Sequence, residues 1–224
     1  MSPVITMAEV TLKRLLRGRA LYVALIIAFL PVLYAAAAGS VGNFAGAEIF
    51  VFEVLVASVL APMFVAASIA EEIEDRTTAY LWSRPIPRWS IVFGKLLTLV
   101  PIATAIILAS WVICCQEAWH TLPDARSCAA LALGILVLSI LSAGIATLAP
   151  RHGMALTICY ILFFDSPLGV LPATFAQVSV THQIRALSGL WPTDAAIATP
   201  LLALTILAAL YAAIAALRMR KLEA

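Results

Sequence analysis

The stretch EEIEDRTTAYLWSRPIPR, from Glu71 to Arg88, separates two long apolar runs, and its reading decides what kind of fold the chain has. Within five residues, Glu71, Glu72, Glu74 and Asp75 supply four of the chain's twelve acidic side chains. In a soluble protein such a cluster would be a candidate active site. Here the flanking runs, residues 49–70 and 92–115, are each about as long as a helix must be to cross ~30 Å of hydrocarbon, for which it needs about 20 residues.

The rest of the chain has the same character. Of 224 residues, 63% are hydrophobic and only 12% charged, with a mean hydropathy of +1.05, far outside the range of soluble domains. A net charge of +2 without a long basic run gives no reason to expect a nucleic-acid partner. Six segments are long and apolar enough to span: residues 20–38, 49–70, 92–115, 128–149, 154–171 and 195–217. Their apolar runs are continuous, where the strands of a membrane barrel would alternate over about ten residues. The expected fold is an all-α membrane protein with six transmembrane helices in a single domain, 1–224. Lys13, Arg14, Arg17 and Arg19 ahead of the first run resemble the start of a secretory signal, but a run of this length with five more behind it reads as a retained span.

Orientation follows from the basic residues, since cytoplasmic loops carry the excess of Lys and Arg. Twelve of the fourteen fall on the N-terminal side of the spans and only Arg126 and Arg185 on the other. Both termini and the loop 71–91 are therefore expected in the cytoplasm, in a multi-pass protein of the cell membrane. Residues 1–19 contain VITMAEVTLKRLLR, in which Ile5, Ala8, Leu12, Leu15 and Leu16 share one helical face and Glu9, Lys13 and Arg17 another. This predicts an amphipathic helix lying on the bilayer surface, with Thr6 and Glu9 spaced as a capping box at its start.

The acidic cluster admits a catalytic, a metal-binding or a mechanical reading. Glu71, Glu72 and Arg76 match E-E-x-x-x-R and so resemble part of the signature of the CAAX-type intramembrane proteases. His120 and Asp124 fit a second motif of that family, yet they belong to the opposite face of the membrane, too far away to share a proton. As a metal site, residues 71–75 lack the ligand spacing and glycine turn of a calcium loop. The mechanical reading is that of a short charged helix after the second span, braced by Pro85 and Pro87, which cannot sit inside a regular helix.

At this point the residues resemble a family, the membrane subunits of ATP-binding-cassette (ABC) exporters of the type 2 permease class. Their pattern is an acidic stretch after the second helix, a Thr, a Leu, then S-R-P-x-x-R, and a G-K opening the third helix. Here these are Glu71, Glu72, Glu74, Thr77, Leu81, Ser83, Arg84, Pro85, Arg88, Gly94 and Lys95, with Asp75 and Arg76 departing from the family pattern before the Thr. The resemblance implies a permease subunit without a catalytic site, whose residues Glu71 to Arg76 form a coupling helix for a separate cytoplasmic ATPase. ATP and magnesium would then reside on that subunit. Consistently, Gly94–Lys95 continues with Leu96 and has Trp89 where a phosphate-binding loop would have a glycine. The resemblance further implies a second permease chain, as homodimer or heterodimer, and half-helices at the outer leaflet over residues 172–194.

Glu53 and Asp165, the carboxylates inside spans, are the candidate substrate-side residues, because intramembrane carboxylates usually face a cavity or the bundle interior. Cys114, Cys115 and Cys128 near His120 offer soft ligands for copper or zinc, or a disulfide, or simply small buried side chains; there is no C-x-x-C spacing. The alternative function from another class is a stand-alone secondary transporter or channel.

Overall fold

Residues 3–41, 46–74, 89–171, 173–191 and 197–221 are described by the computed structural model of the protein, and every regular element among them is helical. The chain begins with α1 (Pro3–Arg17), whose Leu15 is buried while Ile5, Leu12 and Leu16 are exposed, as suits a helix with its apolar face on lipid. Thr6 lies inside α1 and not at its cap, so the expected capping box does not form there; Glu9 instead accepts from Lys13 one turn on, at 2.7 Å.

The first expected span is broken into α2 (Ala20–Ala28) and α3 (Leu30–Val41). Pro31, at the second position of α3, has no amide to give to the turn before it. Beside the break, the Ala28 carbonyl accepts from the Ser110 hydroxyl at 2.8 Å. Next come α4 (Gly46–Glu74), α5 (Trp89–Trp119) and α6 (Ala125–Leu148), each a few residues longer than its apolar run. α4 and α6 are central, with most of their spans buried; α2–α3, α5 and the last helix, α10 (Ala198–Lys221), are peripheral. Pro200 falls in the first turn of α10, where a missing amide costs nothing, so it does not kink that span.

Five helical stretches among the described residues are long and apolar enough to cross a membrane: Ala20–Gly39, Gly46–Ile69, Val92–Trp119, Ala125–Leu148 and Ala198–Arg218. The sixth, expected at 154–171, is different. It consists of α7 (Gly153–Tyr160), a π-helical turn (Ile161–Asp165) and one last turn, Ser166–Leu168, together about 24 Å of rise. Pro167 cannot continue the hydrogen-bond ladder, and Asp165 is held by the segment that follows. That segment comprises α8 (Ala173–Ala176) and α9 (Val180–Ser188). Two short helices thus fall within the segment 172–194, and α9 is not superficial: Val180, Thr181, Gln183, Ile184, Arg185, Leu187 and Ser188 are all buried.

Two features let α9 enter the bundle. Gly134 on α6 stands where a side chain would collide with Ile184; a Cβ there would lie 2.6 Å from Ile184 Cδ1. Ser139, Ser142, Ala143, Gly144 and Ala146 continue the same helix as small, buried residues, which allow close helix approach where lipid gives no hydrophobic drive for association.

The helix ends sort into two groups. Gly46 approaches Trp119 and Leu190 at one end of the bundle. At the other, the ends of α1 and α4 meet the start of α5, and Ala215 and Ala216 of α10 share a groove with Val92. The start of α1 and the last turns of α10 thus lie at the same end.

Because Gly134 is fitted to Ile184, Gly134→Leu should lower stability by roughly 1–3 kcal/mol through overpacking. Ile184→Ala in the same chain should recover part of that loss. Thermal unfolding of the two variants in detergent measures both effects.

Candidate functional site

Three groups of residues on this scaffold carry chemistry. The first lies at the end where the acidic cluster emerges. Glu71, Glu72 and Glu74 form the last turn of α4, while Asp75, Arg76, Thr77, Arg84, Pro85 and Arg88 lie outside the described residues. Gly94 and Lys95 are well placed to brace this end. A Cβ on Gly94 would be 3.0 Å from both Met7 Cβ and the Val4 carbonyl, so only glycine lets α1 lie directly on α5. Thr98, one turn on, donates to the Ala8 carbonyl at 3.1 Å. Lys95 is 2% exposed, and its ammonium donates to the Ser68 carbonyl of α4. A glycine and a lysine side by side thus bind α1, α4 and α5 together just beneath Glu71.

The second group surrounds Asp165, which is 1% exposed. Its Oδ1 accepts from the Val180 amide at 2.8 Å, and its Oδ2 from the Thr181 amide at 2.9 Å and the Thr181 hydroxyl at 2.7 Å. The Ser179 hydroxyl lies 3.2 Å from Oδ2 and donates to the Asp165 carbonyl at 2.8 Å. Asp165 is therefore a cap on the N-terminus of α9, where the helix dipole favours a negative charge. At the other end, Arg126 Nε donates to the Leu187 carbonyl at 2.8 Å, and Gly189 takes the left-handed C-cap conformation at φ 76°.

Between the caps, Arg185 Nε donates to the Thr181 carbonyl at 3.1 Å, and its guanidinium stacks on Trp191 at 5.4 Å. His182 Nδ1 pairs with the Gly169 carbonyl at 3.0 Å. Burial lowers the pKa of His182 below its usual 6.5, aided by Arg185 and opposed by the Gly169 carbonyl and Asp165.

The third group is Glu53 on α4, which has no exposed surface. Its Oε2 lies 3.2 Å from the Ser110 hydroxyl and 3.9 Å from the Cys114 thiol, both on α5; its Oε1 has no hydrogen-bond partner among the described residues. Ser110 has a single proton and also sits 2.8 Å from the Ala28 carbonyl. The Ser110 hydroxyl thus faces two acceptors, the Ala28 carbonyl and Glu53 Oε2, and joins α2, α4 and α5 at one point.

Of the cysteines, Cys114 and Cys115 are buried, Cys128 is half-buried and Cys159 is exposed. His120 sits on the surface at φ 54°, in the turn after α5. Among the described residues, no group of three or more His, Cys, Asp or Glu side chains is placed to hold a metal. His120 and Asp124 follow Trp119, the residue that touches Gly46 at the start of α4. Glu71 is 25 residues further along that helix (71 − 46), about 38 Å away, so Glu71 and Glu72 lie at the opposite end from the histidine.

Comparison with known proteins gives no match, neither to a family model nor to a curated protein.

Asp165 and Glu53 both stand out in the sequence as carboxylates within apolar runs, but their environments differ: one is saturated with donors and one retains an orphan oxygen. The capped helix α9 has a local signature, Ser179 before it and Gly189 after it, the usual start and stop signals. Arg126, sixty residues upstream of its acceptors, has none.

Asp165→Asn keeps the shape of the cap but turns a donor toward other donors, and should cost about 1–3 kcal/mol; hydrogen exchange of the α9 amides should rise before that of α6. His182 has a lowered folded-state pKa, so its contribution is complete above the unfolded value near 6.5 and is lost as pH falls through the lower folded value. Amide protection in α9 should therefore weaken on acidification, and His182→Gln should flatten that dependence.

Proposed function

We propose that this chain is the permease subunit of an ABC exporter of the type 2 class, working with a second permease chain and with cytoplasmic ATPase subunits that bind ATP and magnesium. In this reading α7 with its π turn is the sixth membrane segment, the amphipathic α1 lies on the cytoplasmic surface, and both chain ends face the cytoplasm. The grouping of helix ends supports it, since Arg14, Arg17, Arg19, Lys95 and Arg218 gather at one end and Arg126 and Arg185 at the other.

The observation that carries the proposal is the bracing of α1, α4 and α5 by Gly94 and Lys95 beneath the acidic turn. An ATPase that grips a loop can drive a membrane helix only if the loop is stiffly joined to it, and here three helices move as one. The acidic residues Glu71, Glu72 and Glu74 then complement a basic groove on the partner; α1, held against the same point, is a second contact. An exposed ion pair contributes at most about 1 kcal/mol, so the acidity of the cluster serves recognition more than stability.

A specific observation favours a second reading. Glu53, buried with an unpartnered oxygen and linked through Ser110 to α2, has the chemistry of a proton-coupled secondary transporter, in which a carboxylate titrates during the cycle.

Purification under mild conditions should bring down an ATP-hydrolysing subunit. Glu71→Arg with Glu72→Arg should release it and reduce substrate-stimulated ATPase activity at least tenfold, while the permease itself remains folded. Recovery of the chain without any ATPase, or full coupling in the charge-reversed variant, would defeat the proposal. Glu53→Gln separates the two readings: the amide oxygen still accepts from Ser110 but the side chain cannot titrate, so ATP-driven transport should persist, whereas proton-driven transport would be lost.

A further inference from the structure

Glu53 and Asp165 are both buried carboxyls, but the protein solvates only one of them. Two amides and a hydroxyl donate to Asp165 at the N-terminus of α9, which is what a negative charge requires. Glu53 has no exposed surface, and its Oε1 has no partner among the described residues. Its Oε2 faces only the Ser110 hydroxyl at 3.2 Å and the Cys114 thiol at 3.9 Å. Ser110 lies closer to its other acceptor, the Ala28 carbonyl, at 2.8 Å. An ionised carboxylate is the stronger acceptor and would draw the shorter bond; here the neutral carbonyl has it. A side chain without exposed surface also borders no void of water size, so neither a water molecule nor a hydrated cation has room beside it.

Among the described residues, no cation on the surrounding helices supplies the missing partner. Lys95 of α5 donates to the Ser68 carbonyl, fifteen residues along α4 (68 − 53) and about 22 Å from Glu53. Arg126 of α6 donates to the Leu187 carbonyl, and Arg185 and His182 of α9 are joined to the Thr181 and Gly169 carbonyls. The thiols of Cys114, Cys115 and Cys128 bring no positive charge. Tyr34 of α3 packs edge-on against Phe52, and Glu48, five residues back on α4 (53 − 48), is exposed on another face.

We propose that Glu53 is a proton-binding site, occupied while α2 is docked on α5 through Ser110. A proton needs no added volume, whereas a bare metal ion would need several further oxygen ligands. With the proton on Glu53, the Ser110 hydroxyl stays with the Ala28 carbonyl and ties α2 to α5 beside the break before Pro31. Once the proton has passed to water, the carboxylate competes for Ser110, the Ala28 carbonyl loses its partner, and α2 is released. With no exposed surface, Glu53 meets water only when a helix moves, so proton exchange and the movement of α2 are linked. Glu53 has this ligand whichever of the two transport readings holds.

The test is infrared difference spectroscopy of the full chain in lipid nanodiscs at neutral pH, unaltered protein minus Glu53→Gln. The amide is close in shape to the neutral acid, so the variant should remain folded, which its thermal unfolding checks. The difference should show the C=O stretch of a protonated carboxyl, shifted in heavy water; carboxylate stretches in its place would overturn the inference. Asp165→Asn, measured in the same way, should remove carboxylate stretches instead, and a protonated band for both residues would remove the contrast on which the site rests. In the unaltered chain a hydrophobic carbodiimide, which adds to protonated carboxyls, should modify Glu53 and spare Asp165; the reverse would count equally against the site. Sodium added at constant pH should leave the Glu53 band in place, and its loss would make the site one for a metal cation. On raising the pH the band should disappear as hydrogen exchange of the α2 amides quickens relative to Glu53→Gln; disappearance without that change would overturn the link to α2. Transport by Glu53→Gln bears on the proposed function, and the band bears on this site alone.

Discussion

A helix buried inside a membrane bundle must satisfy its own ends, because no water is present to do so, and the ends of α9 are where this protein meets that constraint. Asp165 takes the amides of Val180 and Thr181, and Arg126 takes the Leu187 carbonyl. Without these caps several backbone groups would sit unpaired in a low-dielectric interior, each at a cost of several kcal/mol. The charges also oppose the helix dipole at both ends. Much else follows from holding α9 in place: α7 stops early and widens into a π turn, and Gly134 stays a glycine so that Ile184 can seat against α6.

The remainder of the bundle is held by close approach and by a small number of polar links. Small residues on α6 permit helix contact, and Tyr160 and Tyr211 join α7 to α10 through their hydroxyls at 2.8 Å. The aromatic pair Phe50–Trp111, with ring centres 5.2 Å apart, couples α4 to α5, and Trp111 also donates to Ser127 on α6 at 3.0 Å. Ser110 draws α2 to α5 at the break before Pro31. None of these bonds is strong singly, yet each joins two different helices and so limits how one can slide on another.

The two ends of the molecule differ in kind. At one, α9, Arg126, Arg185 and Trp191 form a closed polar plug. At the other, α1, the end of α4 and the start of α5 form a braced corner that leads into the acidic turn. A plug at one end and a stiff, charged handle at the other is an arrangement suited to passing force from a partner into the bundle, which is the sense of the proposed permease function.

The sequence by itself determined the class of fold. Long uninterrupted apolar runs read as helices in a bilayer, and the amphipathic spacing of residues 4–17 predicted the helix that α1 forms; both depend on local periodicity, which one chain segment carries alone. The spans at 49–70, 92–115 and 128–149 are recovered within four residues for the same reason. The fate of 154–171 was not legible, because its length depends on Asp165 reaching a helix that begins fifteen residues later. Glu53 and Asp165 looked alike as carboxylates in apolar runs, and only tertiary structure separated the saturated one from the one with an orphan oxygen. Arg14 and Arg19 likewise read as ordinary positive flanks of a first span. Their convergence with α4 and α5 is a property of packing, since helix periodicity fixes which residues share a face but not which other helix that face will meet.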